Sequence, residues 1–263
     1  MRRALSCAAF AAAAVLAGCA TEVAPVVVAT TTPTTVPGPP TGRLVVLAAA
    51  PIAPAVQRLA SAFTQLNPGV EVVVTAGGAN GLVNQVAGGL MGDVFISIGR
   101  DAVDLLAMNG HLATEPLVFG SDPLVLVVPP GNPERVAGLA DLADPNRAVA
   151  LCSLDSSCGK AADSALMRAG LTVSPEVLAT DGETVVEAIA TGRASAGLAY
   201  RTDATAAVSS LALDVDLRAT VPGIVAKLNA STNPGAADAF IEFLFTPEGE
   251  QEIAAGGLDL PPA

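Results

Sequence analysis

The stretch LVVLAAAPIAPAVQRLASAF, residues 44–63, constrains the fold more than any other. Residues 44–47 are a short apolar run of the kind carried by a strand covered on both faces. The period then changes. Ile52, Val56, Leu59, Phe63 and Leu66 recur at spacings of three and four, with Gln57, Arg58, Ser61 and Gln65 on the other side, which predicts a helix with one buried face. Between strand and helix, Ala48, Ala49, Ala50 and Pro51 are small enough for a ligand to reach the amides at the helix start. Unsatisfied N–H groups and the helix dipole favour an anion there. A core strand-helix unit with no ligand has the same form, so the pattern gains meaning only by repetition.

It does repeat. After the turn at Asn67, Pro68 and Gly69, the run VEVVV predicts a strand over 70–74, and TAGGANGL leads into a helix with Leu82, Val83 and Val86 inside, closed by Gly88 and Gly89. A strand follows over 93–99, then a helix capped by Asp101 and running through Met108. Strands alternating with helices imply mostly parallel sheets with ligand sites at the carboxyl ends of the strands. A longer strand is expected from Asp122, a short helix over 139–143, and a strand over 147–152. The polar turn of Ser153, Asp155, Ser156, Ser157 and Cys158 then opens a helix ending at Gly170, a third candidate anion nest. A capped helix over 183–190 and a strand over 194–200 come next. Residues 213–228 read as two extended pieces bent at Pro222 and Gly223, and two helices close the chain.

The N-terminus carries an address. Arg2 and Arg3 precede an alanine-rich apolar run, and LAGC at 16–19 resembles the bacterial lipoprotein signal, which implies removal of residues 1–18 and acylation of Cys19. Residues 19–42 are rich in Thr and Pro, with Pro25, Pro33, Pro37, Pro39 and Pro40, a composition that favours an extended tether. About 220 residues remain, enough for a large core. The net charge of −12 removes nucleic acid from the partners and argues against electrostatic steering of anions, but not against an oxyanion held by neutral N–H and O–H donors. Cys7 leaves with the leader, so Cys152 and Cys158 remain in an oxidising compartment. A disulfide is the first reading and two free thiols the second. His111 follows Asn109 and Gly110 in a turn without ligand spacing to either cysteine, so no metal site is expected. With that histidine alone and no G-x-S-x-G motif, no enzyme is expected either.

In order, LVVLAAAPI, NPGVEVVVTAGGANGLVNQV, GDVFIS, LVLVVPPGNP, LADLADP, VALCSLDSSCGKAA, ATGRASAGLAY and FIEFLFTPEGEQ resemble the molybdate-binding lipoproteins of ABC importers, members of the type II periplasmic-binding-protein superfamily. The resemblance spans residues 43–257. It implies a two-lobed α/β fold, each lobe a mostly parallel sheet flanked by helices, with two crossing strands between them. Lobe I would take residues 43–123 and 222–263, and lobe II residues 124–221.

The family holds its oxyanion with hydroxyls and amides from these turns, and the matching positions here are Pro51, Ala79, Asn80, Cys158, Val185 and Tyr200. Two of them depart from the family pattern of serines. Pro51 donates neither N–H nor O–H, and Ala79 offers only its backbone, while Asn80 adds a side-chain amide. Each lost hydrogen bond to a charged ligand costs about 1.5–3 kcal/mol, so Asn80, Ser153, Ser156, Ser157 or Lys160 would have to supply replacements.

The expected function is an extracytoplasmic, lipid-anchored binding protein for a molybdate- or tungstate-like oxyanion. It would act as a monomer, without cofactor, delivering to the permease subunits of an ABC importer. The competing reading is a surface lipoprotein of the same fold that binds a different small solute or a protein partner.

Overall fold

The computed structural model describes residues 38–261. The leader, Cys19 and most of the tether lie outside them. The described chain runs β1 (Gly42–Ala49), α1 (Ala53–Leu66), β2 (Val70–Gly77), α2 (Ala79–Ala87), β3 (Val94–Ile98), α3 (Asp101–Met108) and β4 (Leu117–Val128). It continues through β5 (Val149–Cys152), α4 (Ser157–Arg168), β6 (Val177–Ala179), α5 (Gly182–Ala190), β7 (Ala196–Tyr200) and β8 (Ser209–Ala212). Last come β9 (Thr220–Lys227), α6 (Pro234–Phe243) and α7 (Pro247–Ala255).

The strands follow the order β2-β1-β3-β9-β4-β7-β5-β6, with β8 on β4. Two half-sheets share this order. In the first, β1 pairs in parallel with β2 and β3; in the second, β5 pairs in parallel with β6 and β7. The antiparallel strands β4 and β9 join them. Up to Pro123, β4 lies against β9, and from Leu124 onward it lies against β7, so one strand passes from one lobe into the other.

The alternation of side chains in β1 shows why both faces of the first half-sheet are covered. Leu44, Val46 and Ala48 point to α1, α6 and α7, while Leu47 points to α2 and α3 beside Phe95, Leu82 and Leu106. On the first face Phe63 meets Phe240 edge-on, with ring centroids 5.2 Å apart and planes at 87°. Phe240 is fully buried. Phe240→Ala is expected to cost about 3–5 kcal/mol in urea unfolding with an unchanged denaturant slope. A loss under about 1 kcal/mol would show that the ring is not part of a close-packed core.

Asp93 fixes the return of the C-terminal helices to the first lobe. Its buried carboxylate accepts hydrogen bonds from Val45 N (2.7 Å), Ser231 Oγ (2.8 Å), Thr232 N (2.8 Å) and Asn233 N (3.0 Å), tying β1 and β3 to the start of α6. Burial pushes this carboxyl up, and the hydrogen bonds outweigh it, holding the group below its ordinary value.

Three sequence expectations need correction. Leu66, placed on the buried face of α1, is 59% exposed because it is the last residue of the helix and overhangs the core. Asp101 is the first residue of α3 rather than its cap, which is Arg100. The expected bend at Pro222 and Gly223 is absent, and β9 runs through both. The Pro222 carbonyl accepts from Gly99 N, and β3 ends with Ile98 opposite Gly223. The N–H that proline lacks would face Gly99, one residue beyond the last paired residue of β3, so the missing bond falls at the end of the ladder and not within it.

Candidate functional site

The parallel strands of the first lobe end together, with Ala49 of β1 opposite Gly77 of β2. The turn that follows β1, Ala50–Ile52, lies against the turn that follows β7, Arg201–Asp203. Between them is a cavity of about 130 Å³. The first lobe contributes Pro51 and Ile98, and the crossing strand β4 contributes Asp122. The second lobe contributes Ser156, Ser157 and Cys158 at the start of α4, Asp181 and Gly182 at the start of α5, and Tyr200, Thr202 and Asp203 after β7.

The helix starts that face this region differ between the lobes. In the second lobe each is capped by its own side chain. Ser156 Oγ accepts from Gly159 N at 3.1 Å and donates to Ser153 O at 2.8 Å, and Asp181 Oδ1 accepts from Thr184 N at 2.8 Å and Thr184 Oγ1 at 2.7 Å. In the first lobe neither α1 nor α2 has a side-chain cap; at α1 Ala53 N already donates to Ala50 O and Pro54 has no N–H, so it is the start of α2 whose first N–H groups lack a side-chain acceptor. Cys152 and Cys158 lie within bonding distance of one another across the turn that precedes α4, with Cα atoms 5.8 Å apart.

The electrostatics of the cavity are those of buried acids. Asp122 is fully buried and accepts from the backbone and hydroxyl of Thr202. Burial pushes its carboxyl up to about 6, against the opposing hydrogen bonds of Thr202 and the charge of Arg201. Asp203 accepts from Tyr200 N at 3.2 Å. Its burial, with the charge of Asp122 beside it, pushes it up to about 7. The Tyr200 phenol is pushed up to about 12 by burial, with Ser157 opposing and the two aspartates adding to the effect. At neutral pH Tyr200 is therefore a neutral O–H donor, beside two raised carboxyls that change charge between about pH 5 and about pH 8. Among the described residues, no group of three or more His, Cys, Asp or Glu side chains is arranged to hold a metal ion.

Of the residues named from the sequence, Pro51, Cys158 and Tyr200 come together around this cavity, from three separate turns. Ala79, Asn80 and Val185 do not line it. Ala79 is half-buried between the two apolar layers of the first lobe, and Asn80 is exposed on the first turn of α2. Val185 is fully buried under α5, and its N–H is directed to Asp181 O at 3.3 Å. Sequence reasoning missed Asp122, Asp181, Thr202 and Asp203. A usable signal was present for Asp122, an acid directly ahead of the apolar run of a central strand, and for Asp203, three residues past the one tyrosine.

A cleft at the carboxyl ends of two α/β half-sheets joined by crossing strands defines a class of protein that encloses a small solute between lobes. Residues 44–259 match the family described as bacterial extracellular solute-binding protein. The molybdate-binding protein ModA of Mycobacterium tuberculosis is 30% identical over 232 residues, covering 85% of this chain and 88% of that one. Among solved structures, a substrate-binding domain from Clostridium difficile, described as that of a molybdenum ABC transporter, superposes with a TM-score of 0.71 at 24% identity, covering 84% of this chain and 99% of its own. The periplasmic molybdate-binding protein of Azotobacter vinelandii gives a TM-score of 0.67 at 19% identity, with 83% and 100% covered. The chain belongs to the bacterial extracellular solute-binding proteins, in the type II periplasmic-binding-protein superfamily, the group that includes the molybdate-binding proteins. Its place is therefore extracytoplasmic, and its family is defined by solute binding rather than by a catalysed reaction.

Proposed function

We propose that this protein captures a small oxyanion of the molybdate or tungstate kind between its lobes, residues 43–123 with 222–263 and residues 124–221, and delivers it to the permease subunits of an ABC importer. In this reading it works as a monomer, held at the membrane through acylated Cys19, and a Cys152–Cys158 disulfide pre-orders the turn before α4. One observation carries the reading: Pro51, Cys158 and Tyr200 line one small cavity between the lobes, with a neutral phenol donor at its edge. The likeness to the mycobacterial molybdate-binding protein supports it.

Titration calorimetry with molybdate, tungstate, sulfate and phosphate tests it. Saturable one-site heat with one of these anions is expected. Tyr200→Phe is expected to weaken that binding roughly ten- to a hundredfold, the worth of one hydrogen bond to a charged ligand, without moving the unfolding temperature. Unchanged affinity would remove Tyr200 from the site. No heat with any of the four would leave the family and fold standing without this ligand class.

A second reading has its own observation. Asp122, Asp181 and Asp203 line the same cavity, and Pro51 offers no N–H there. Three carboxylates repel a dianion and accept hydrogen bonds from hydroxyl or ammonium groups, which favours a solute other than molybdate. The same calorimetry separates the two readings, since this one expects no heat from the inorganic anions near pH 8.

A further inference from the structure

Beside the small cavity, and sharing Ser157 and Tyr200 with it as lining residues, lies an open groove of about 600 Å³. Its walls carry Arg100 at the start of α3, Lys160 and Arg168 on α4, and Arg218 ahead of β9, against Asp101 as the only lining carboxylate. The whole chain has 13 Lys and Arg residues and a net charge of −12, so four cations in one concavity is a strong local inversion. The sequence argued against steering of anions, because net charge says nothing of where the cations gather.

Their existing partners leave capacity for a ligand. Arg100 faces Asp104 at 3.8 Å with its side chain 57% exposed. Arg218 reaches Asp259 at 3.5 Å, a carboxylate already paired with Arg201. Arg168 donates to the carbonyls of Leu217 and Arg218. Lys160 is exposed; its N–H donates to Ser156 O in the first turn of α4, and its ammonium has no hydrogen bond or ion pair among the described residues.

We propose that this groove is an anion subsite that receives the phosphate-class head group of a small organic solute, with Arg100 and Lys160 holding the charge from opposite lobes. The proposal rests on the chain being a solute-binding protein for an anion, and it moves the ligand's charge outward from the cavity to the groove. Size supports an organic ligand, since ligand pockets typically span about 300–1,000 Å³ and a lone tetrahedral ion would fill little of this one. The chemistry of the two compartments agrees. The groove offers cations and the hydroxyls of Ser157 and Tyr200 to an anionic end. The cavity offers Asp122 and Asp203 to a hydroxyl on the other end. An anion between Arg100 and Lys160 would also draw the lobes together, because α3 and α4 belong to different half-sheets.

The test is backbone amide chemical shifts of the full chain on titration with glycerol 3-phosphate, inorganic phosphate and molybdate. Glycerol 3-phosphate is expected to shift groove amides (Arg100, Lys160, Ala161) and cavity amides (Gly182, Thr202) together and saturably. Inorganic phosphate is expected to shift the groove set alone. The double variant Arg100→Gln/Lys160→Gln is expected to weaken both by roughly thirtyfold or more. Shifts confined to the cavity amides, or a double variant that binds all three anions like the parent, would overturn the groove and leave the oxyanion reading intact. Groove shifts that never saturate mean diffuse attraction only and overturn it as well. An absence of shifts in either set would sink both readings.

Discussion

Gly159→Ala is expected to lower the unfolding temperature by roughly 10 °C or to prevent folding, and to abolish solute capture. A Cβ at this position would lie 1.9 Å from Ser153 O and 2.8 Å from Cys152 O, distances at which backbone must move. Both carbonyls belong to the end of β5 and the turn that follows it, where no flexible side chain can yield. Overpacking in a core costs about 1–3 kcal/mol when side chains can adjust, and more where backbone cannot. For a domain of this size each kcal/mol moves the midpoint by about 2–4 °C. The functional loss has a separate cause. Ser156, Ser157 and Cys158 reach the cavity from the same turn, and the Ser156 cap closes directly onto Gly159 N. Pushing α4 off β5 therefore moves the site before it unfolds the lobe. Gly138→Ala is the control, since a Cβ there meets nothing within 4 Å and should change neither readout. A Gly159→Ala protein with the parent's midpoint would show that α4 does not pack on β5 as described.

The sequence made the elements legible where period and punctuation agreed. The change from the run 44–47 to the helical spacing of Ile52, Val56, Leu59 and Phe63 located β1 and α1, because burial on two faces and on one face leaves different patterns. Alternation of strands and helices likewise gave the parallel half-sheets. β6 was missed, because Val177–Ala179 is three residues long and Leu178 is 67% exposed, so it carries no hydrophobic run to detect. β9 was misread, since a proline in a strand looks like a break unless its neighbour ends one residue short, a fact of register rather than of local sequence.

The site divides in the same way. Pro51, Cys158 and Tyr200 stand at turns a motif can mark. Asp122 and Asp203 are separated by most of a lobe and met only when β4 crossed to pair with β7. The basic groove draws on three separate stretches of chain, of which only α4 carries more cations than acids.

Those two aspartates give the second large effect: for a dianion bound in the cavity, as in the oxyanion reading, affinity should rise roughly ten- to a hundredfold from about pH 8 to about pH 5. Asp203 is raised to about 7 and Asp122 to about 6, so both are largely charged at the upper end of that window and neutral at the lower. The charges that face them act in both directions. Asp181 and Glu183 push Asp203 further up, and Arg201 pulls Asp122 down. Sulfate keeps its charge over this range, so its calorimetric titration isolates the protein's protons. Asp203→Asn should bind sulfate at pH 8 nearly as the parent does at pH 5, since an amide also accepts from Tyr200 N. Stability should shift by the same linkage. A carboxyl raised above its ordinary 3.8 stabilises the fold below that value and loses the contribution as pH rises through about 6 and 7. Asp93, lowered in the fold, has the opposite sign and loses its contribution on acidification below its ordinary value. The unfolding midpoint should therefore peak at about pH 4, decline from there to about pH 7 and level off above it, and Asp203→Asn should flatten that upper limb alone. A sulfate affinity that is flat with pH in the parent, or that falls on acidification, would mean that the two carboxylates do not face the bound anion. The charge would then lie in the groove of Arg100 and Lys160, beyond their reach.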